Sequence, residues 1–342
     1  MPAPTAGSLM AREMAEQPEV LARLADGREA TIASLRGAVP APRGVVLVAR
    51  GSSDFAAVFG RYALEAALGV PVALAAPSLA TRYGVRMDLG GWLAVGVSQS
   101  GATPEIVEVL AAYRDSGAVT VAITNHPEAP LASGADAVLP LHAGDEEAVP
   151  ATKTFTATVA AFALLAEALG DPPWDGSAWD ALPGAVESVL VDGEPAVTAG
   201  QGLVGASGLI AVSRGYHYAV ALEAALKIKE TTSMLALGYS TADFLHGPIA
   251  VLERDLPVLT VRADGPAAGD LDALEARVAA RGRSLLRIGP ADCELPAGAG
   301  VAEALSTIPA VVRAQQLARE TALALGLDPD QPEGLAKITP TT

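Results

Sequence analysis

Residues 44–53 read "GVVLVARGSS" and residues 208–217 read "GLIAVSRGYH". Each is a continuous apolar run of strand length that enters a glycine turn. That is the pattern of a strand buried on both faces in a parallel sheet. The spacing recurs. "VSQSG" from Val97 matches "VRADG" from Val261, and "TVAIT" from Thr120 matches "SLLRI" from Ser284, all three pairs 164 residues apart. One such match is chance; three at one offset indicate a duplicated α/β unit. The repeated "ALEAAL" at Ala63 and Ala221 falls at another offset and stands outside the duplication.

Helices and strands alternate around the first copy. "DFAAVFGRYALEAALG" reads as a helix closing at Gly69, and "TPEIVEVLAAYRDSG" as one closing at Gly117. "VPVALAA", "GWLAVGV", "AVTVAIT" and "ADAVLPL" read as strands. Residues 9–37 read as helical with a break at Pro18, and a long helix, "TKTFTATVAAFALLAEALG", ends before "DPPWDG". The expected fold class is α/β, with two tandem doubly wound parallel-sheet domains and flanking helices. The expected organisation is an N-terminal helical segment (1–36), a first domain (37–190), a second domain (191–328) and a tail (329–342).

Composition narrows the classes. Of 342 residues, 51% are hydrophobic but only 4% aromatic, so Ala, Val and Leu must build the core. A balance of 39 acidic against 23 basic residues gives a net charge of −16, which argues against nucleic acid or an anionic membrane as partner. The lone Cys293 cannot pair within the chain. The N-terminus lacks the apolar core of a signal peptide, and the longest apolar run, Phe155 to Ala166, is too short to span a bilayer. A soluble, cytoplasmic protein is expected. His126, His142, His217 and His246 show no ligand spacing, so no metal and no cofactor are expected.

The two copies differ at their strand ends. The first carries Ser52, Ser53, Ser98, Gln99, Ser100 and Thr103; the second carries Tyr216, His217, Arg262, Ala263 and Asp264. Ligands of open α/β sheets sit beyond the carboxyl ends of strands. A strand–loop–helix junction there offers backbone N–H groups and the positive end of a helix dipole. Small hydroxyls and Gly101 let a compact phosphate monoester approach. Thr103 before Pro104 suits a helix entry, with threonine as cap and proline first in the helix. Plain capping, with the serines as turn residues, is the alternative reading. The loop lacks the glycine patterns of nucleoside triphosphatases and dinucleotide binders.

A second constellation lies in "ALEAALKIKETTSMLALGYSTADFLHGPIAVLE". Glu223, Lys227 and Glu230 share one helix face. A solvated Glu–Lys stripe is the common fate of such charges. The Ala- and Leu-rich surroundings, and His246 ahead of Gly-Pro, point instead to proton transfer beside a carbonyl. Lys337, in "DQPEGLAKITPTT", sits on a segment that could close over a site or be a frayed terminus.

Together, "MAREMAEQPEVL", "ARGSS", "SQSGAT", "VPATKTFT", "ALEAALKIKE", "LHGP" and "DQPEGLAK" resemble the tandem sugar-isomerase (SIS) domain family. Within that family they resemble the isomerase half of glucosamine-6-phosphate synthase and stand-alone glucosamine-6-phosphate deaminases. By this resemblance Ser52, Ser53, Ser98, Gln99, Ser100 and Thr103 hold a sugar phosphate. Glu230 moves the proton between C1 and C2, and His246, supplied by the partner subunit, opens the ring. Lys227 stands near the enediolate, and Lys337 can form a Schiff base with the ketose. The resemblance also implies a homodimer with interfacial sites.

The sequence departs from the family pattern in three places. It carries no glutaminase segment and no nucleophilic cysteine directly after Met1, so a glutamine-independent reaction is expected. Ala102 replaces the acid of the usual SQSGET, and "VPAT" replaces VAST. The last two changes bear on the sugar more than on the phosphate. The expected function is a phosphosugar isomerase or deaminase converting glucosamine 6-phosphate to fructose 6-phosphate and ammonia through an enediol(amine). The alternatives are an isomerase or deglycase on another amino-sugar or fructosamine phosphate, and a non-catalytic sugar-phosphate sensor.

Overall fold

The structure, a computed structural model, describes residues 5–298 and 300–337. The ends of the expected N-terminal segment and tail, 1–4 and 338–342, lie outside the described residues. Two compact units are present. One holds Val20–Asp145 and Ala157–Asp175; the other holds the described residues through Glu19, with Glu146–Thr156 and Gly176–Lys337.

The first unit carries a parallel sheet of β1 (Val45–Val48), β2 (Val72–Leu74), β3 (Leu93–Val97), β4 (Val119–Thr124) and β5 (Ala137–Pro140) in the order β2-β1-β3-β4-β5. β1 and β3 are buried along their whole length, as their unbroken apolar runs require. The helix Ser52–Leu68 closes at Gly69, whose φ of 65° suits a residue without Cβ. Its Gly60 lies against Phe162, and a Cβ there would stand 2.4 Å from the ring. Alanine at Gly60 would overpack this contact, at a cost of about 1–3 kcal/mol.

The second unit carries β6 (Gly208–Ser213), β7 (Leu235–Ser240), β8 (Val258–Val261), β9 (Leu285–Gly289) and β10 (Leu295–Pro296), again parallel. The order β10-β9-β8-β6-β7 is the first sheet's order read from the opposite edge. The duplication is therefore structural. Val48 pairs with Gly96 in β1–β3, and Val212 with Thr260 in β6–β8, each partner displaced by the same 164 residues expected from sequence.

Two details correct the sequence reading. Ala94 pairs with Thr120, whereas its counterpart Val258 pairs with Leu285, so Thr120 corresponds to Leu285 rather than Ser284. The second copy holds one extra residue between its third and fourth strands. The third match was thus off by one, a slip that apolar composition tolerates but pleat alternation does not. The N-terminal helices run Ser8–Ala15, Gln17–Asp26 and Arg28–Ala38, so the chain breaks at Glu16 and Gly27, not at Pro18. Pro18 is the second residue of its helix, where a missing N–H costs nothing.

Candidate active site

The first sheet's strand order reverses between β1 and β3, where the connections leave to opposite sides and open a crevice. The small hydroxyls gather there. Ser52 and Ser53 open the Ser52–Leu68 helix beyond β1, after Gly51 at φ 60°. Ser98, Gln99, Ser100 and Thr103 form the loop from β3 to the helix Pro104–Asp115. Gly101 has φ 63°, and a Cβ on it would stand 2.6 Å from the Ala129 Cβ and 2.8 Å from the Thr124 Oγ1. Only glycine fits that turn.

Thr103 occupies the cap position with Pro104 first in the helix, as expected, but makes no side-chain cap. Its Oγ1 lies 3.0 Å from the Ser98 Oγ, which is 3.5 Å from the Ser100 Oγ. The Ser100 Oγ accepts the Ala102 N–H at 3.3 Å. The hydroxyls face one another across the loop rather than closing the helix start. That arrangement suits an anion cradle better than plain capping. Arg50 grips Glu105 through two hydrogen bonds, at 2.8 and 3.1 Å, tying the turn after β1 to the first turn of the helix Pro104–Asp115. Burial raises the Asp54 carboxyl above its ordinary value, opposed by Arg50.

The second unit carries the residues expected to act as acid and base. On the helix Tyr218–Thr232 the Lys227 Nζ lies 3.3 Å from the Glu223 Oε1 and donates a hydrogen bond to the Glu230 Oε2. The solvated-stripe reading fails here, because the Lys227 and Glu223 side chains are 1% and 0% exposed. Glu230 is 22% exposed and forms the open end of the trio. Burial alone would lower the Lys227 pKa; Glu223 and Glu230 more than reverse this and raise it. The result is a fixed positive charge beside a reachable carboxylate.

His246 caps the short helix Thr241–Leu245, is exposed, and precedes Gly247 at φ 140°. Among the described residues its side chain makes no hydrogen bond or ion pair, so it is not joined to Glu230 or Lys227. Lys337 is not frayed. Its Nζ donates to the Glu146 Oε2 at 2.7 Å and to the Ala148 carbonyl at 2.8 Å.

Glu146 was missed from sequence. It is buried, and accepts from the Thr152 N–H at 2.9 Å, the Thr154 N–H at 3.1 Å and the Thr154 hydroxyl at 2.7 Å. Burial raises its pKa, but the Lys337 charge and these hydrogen bonds outweigh that and hold it below the ordinary value. The available signal was an acid a few residues ahead of a threonine-rich helix start, where the dipole favours negative charge. Among the described residues, no three His, Cys, Asp or Glu side chains gather as a metal site, and no helix is long and apolar enough to cross a membrane.

The SIS domain family matches residues 41–168 and 203–289. A glutamine–fructose-6-phosphate aminotransferase [isomerizing] from Gloeobacter violaceus is 34% identical over 86% of this chain and 51% of its own length. Its namesake from Leifsonia xyli is 31% identical over 96% of this chain and 58% of its own. The chain spans about half the length of the curated relatives it matches. Among solved structures, a candidate phosphosugar isomerase from Silicibacter pomeroyi superposes with TM-score 0.81 at 34% identity, over 94% of this chain and 99% of that one. A glucosamine-6-phosphate deaminase from Thermotoga maritima superposes with TM-score 0.78 at 22% identity, over 96% and 99%, a likeness of fold.

Proposed function

The chain belongs to the SIS domain family, and we propose that within it the protein is an aldose–ketose isomerase and deaminase. It would convert glucosamine 6-phosphate to fructose 6-phosphate and ammonia. The observation that carries this reading is the Glu223–Lys227–Glu230 trio, a buried ammonium with one carboxylate at its open end.

In the proposed cycle Ser52, Ser53, Ser98, Gln99, Ser100 and Thr103 hold the phosphate. His246, from the partner subunit of a homodimer, opens the ring. Glu230 takes the proton from C2 of the open aldehyde and returns it to C1, and the Lys227 ammonium stabilises the enolate oxygen between these steps. The resulting C2 imine takes up water and releases ammonia, leaving the ketose. Lys337 offers an amine for an imine with that ketose. The first domain (37–190) thus binds, while the second (191–328) and the tail (329–342) perform the chemistry. Both would act in the cytoplasm without a cofactor.

Proton NMR of the purified chain with glucosamine 6-phosphate, with ammonium assayed alongside, tests this. Fructose 6-phosphate with matching ammonium is the expected result. Saturable binding without product, repeated across other amino-sugar and fructosamine phosphates, would replace catalysis with sensing.

A further inference from the structure

We propose that Glu146 is a positioning residue: its carboxylate seats the Lys337 ammonium and sets where the tail amine stands when a sugar phosphate is processed. The catalytic consequence rests on the function proposed above, whereas the seat rests on geometry alone.

The tail is pinned at two points. The Asp330 carboxylate accepts from the Leu9 N–H at 2.9 Å and the Met10 N–H at 2.8 Å, fixing the tail to the start of the first helix. The Asp330 carbonyl accepts the Val149 N–H at 3.0 Å. Seven residues later Lys337 lands on Glu146 and Ala148 of the same loop. The intervening Gln331–Ala336 is largely exposed and turns at Gly334, φ 81°. It is a strap held at its ends.

Glu146 divides its two oxygens between two tasks. Oε1 accepts the Thr152 and Thr154 N–H groups at the start of the helix Lys153–Leu169. Oε2 takes the Thr154 hydroxyl and the Lys337 ammonium. Its side chain is 0% exposed and that of Lys337 is 23% exposed, so the pair presents its cationic end outward. An ammonium has three N–H donors. Two are spent on Glu146 and Ala148, and among the described residues the third is left for a ligand oxygen. Glu13, also buried, accepts the Ala148 N–H at 3.2 Å and so holds from the other side the residue whose carbonyl takes the lysine. A carboxylate in this seat fixes the amine's place until a substrate draws it away.

The test uses the full chain and two readouts. In the first, without any sugar, formaldehyde and cyanoborohydride methylate free amines. The neutral amine condenses with loss of water, and hydride reduces the iminium. Peptide mass spectrometry compares Lys337 with exposed Lys229. Lys337 of the wild type is expected to react about tenfold more slowly than Lys229, and in Glu146→Gln to approach it, the loss of one charge-assisted pair being worth about that factor. In the second, Glu146→Gln is expected to lower kcat by about 10- to 100-fold with KM within about twofold, the mark of a misplaced reacting group. Glu146→Asp should recover part of both effects, and it serves if the glutamine variant does not fold.

Equal methylation of Lys337 in wild type and variants would overturn the seat. A raised KM with unchanged kcat would overturn the positioning role. The expected methylation with no sugar phosphate turned over by the wild type would overturn the proposed function and confirm the seat.

Discussion

The two sheets share one topology, yet their strand-order reversals present opposite chemistry. Between β1 and β3 lie Ser98, Ser100 and Thr103 hydroxyls within mutual reach. Between β6 and β8 the same place holds a cavity of about 220 Å³ lined by His217, Arg262, Asp264, Glu303 and Ser306, among others. The Arg262 charge is spent on Asp272 at 2.7 Å and Glu275 at 2.8 Å. His217 is buried with its Nε2 3.1 Å from the Ser306 Oγ, and burial pushes its pKa down to about 4. Among the described residues lining that cavity, no positive charge is left free for a phosphate.

The helices that follow β1 and β6 diverge in the reverse sense. At the 164-residue offset, Phe59, Ala63 and Ala66 of the first correspond to Glu223, Lys227 and Glu230 of the second. Phe59 and Ala63 are apolar core, while Glu223 and Lys227 are buried charge. On the proposed function each copy keeps one half of the task; the fold itself requires only that buried charges be compensated.

The sharpest way to break this division is Glu230→Gln. Turnover of glucosamine 6-phosphate should fall by about 10³-fold while binding survives, since general-base groups are worth about 10²–10⁴. Full activity in steady-state assays would remove the second helix from the chemistry.

Next comes His217. Its folded pKa lies below the ordinary 6.5, so the unfolded chain binds the proton first as pH falls. Stability should therefore be intact above pH 6.5 and decline toward pH 4, by up to about 3 kcal/mol. Denaturant titrations of His217→Gln should show this slope flattened. An unchanged slope would mean that His217 is not held buried and neutral at the second reversal point.

Gly101→Ala sharpens the comparison from the other side. With φ 63° and a Cβ 2.6 Å from Ala129, the loop must shift, costing about 1–3 kcal/mol. Sugar-phosphate affinity should weaken more than melting temperature suggests. The smallest effect is that of Ser100→Ala, which removes one hydroxyl at about 1 kcal/mol and should weaken binding about fivefold by calorimetry. The equivalent change at the second reversal point, Asp264→Ala, should leave sugar-phosphate affinity unaltered.

The parallel sheets and the duplication were legible because buried strands announce themselves as runs such as "VVLV" and "LIAVS". The hydroxyl loop was legible because its residues are consecutive. The Glu146 seat was not, because its partner stands 191 residues away and no local periodicity links them. The cap at Thr103 misled for a related reason: propensity places threonine at a helix start, but the Ser98 hydroxyl decides where its oxygen points.

By itself, then, the sequence determined the α/β repeat, the strand ends that carry small hydroxyls and the separation of those hydroxyls from charges, since these follow from neighbours along the chain. Tertiary structure alone decided three things. It set the one-residue offset of β9, buried Lys227 between two carboxylates, and docked the tail lysine on Glu146. Each depends on pairing or desolvation between distant segments, and those energies exist only once the segments meet.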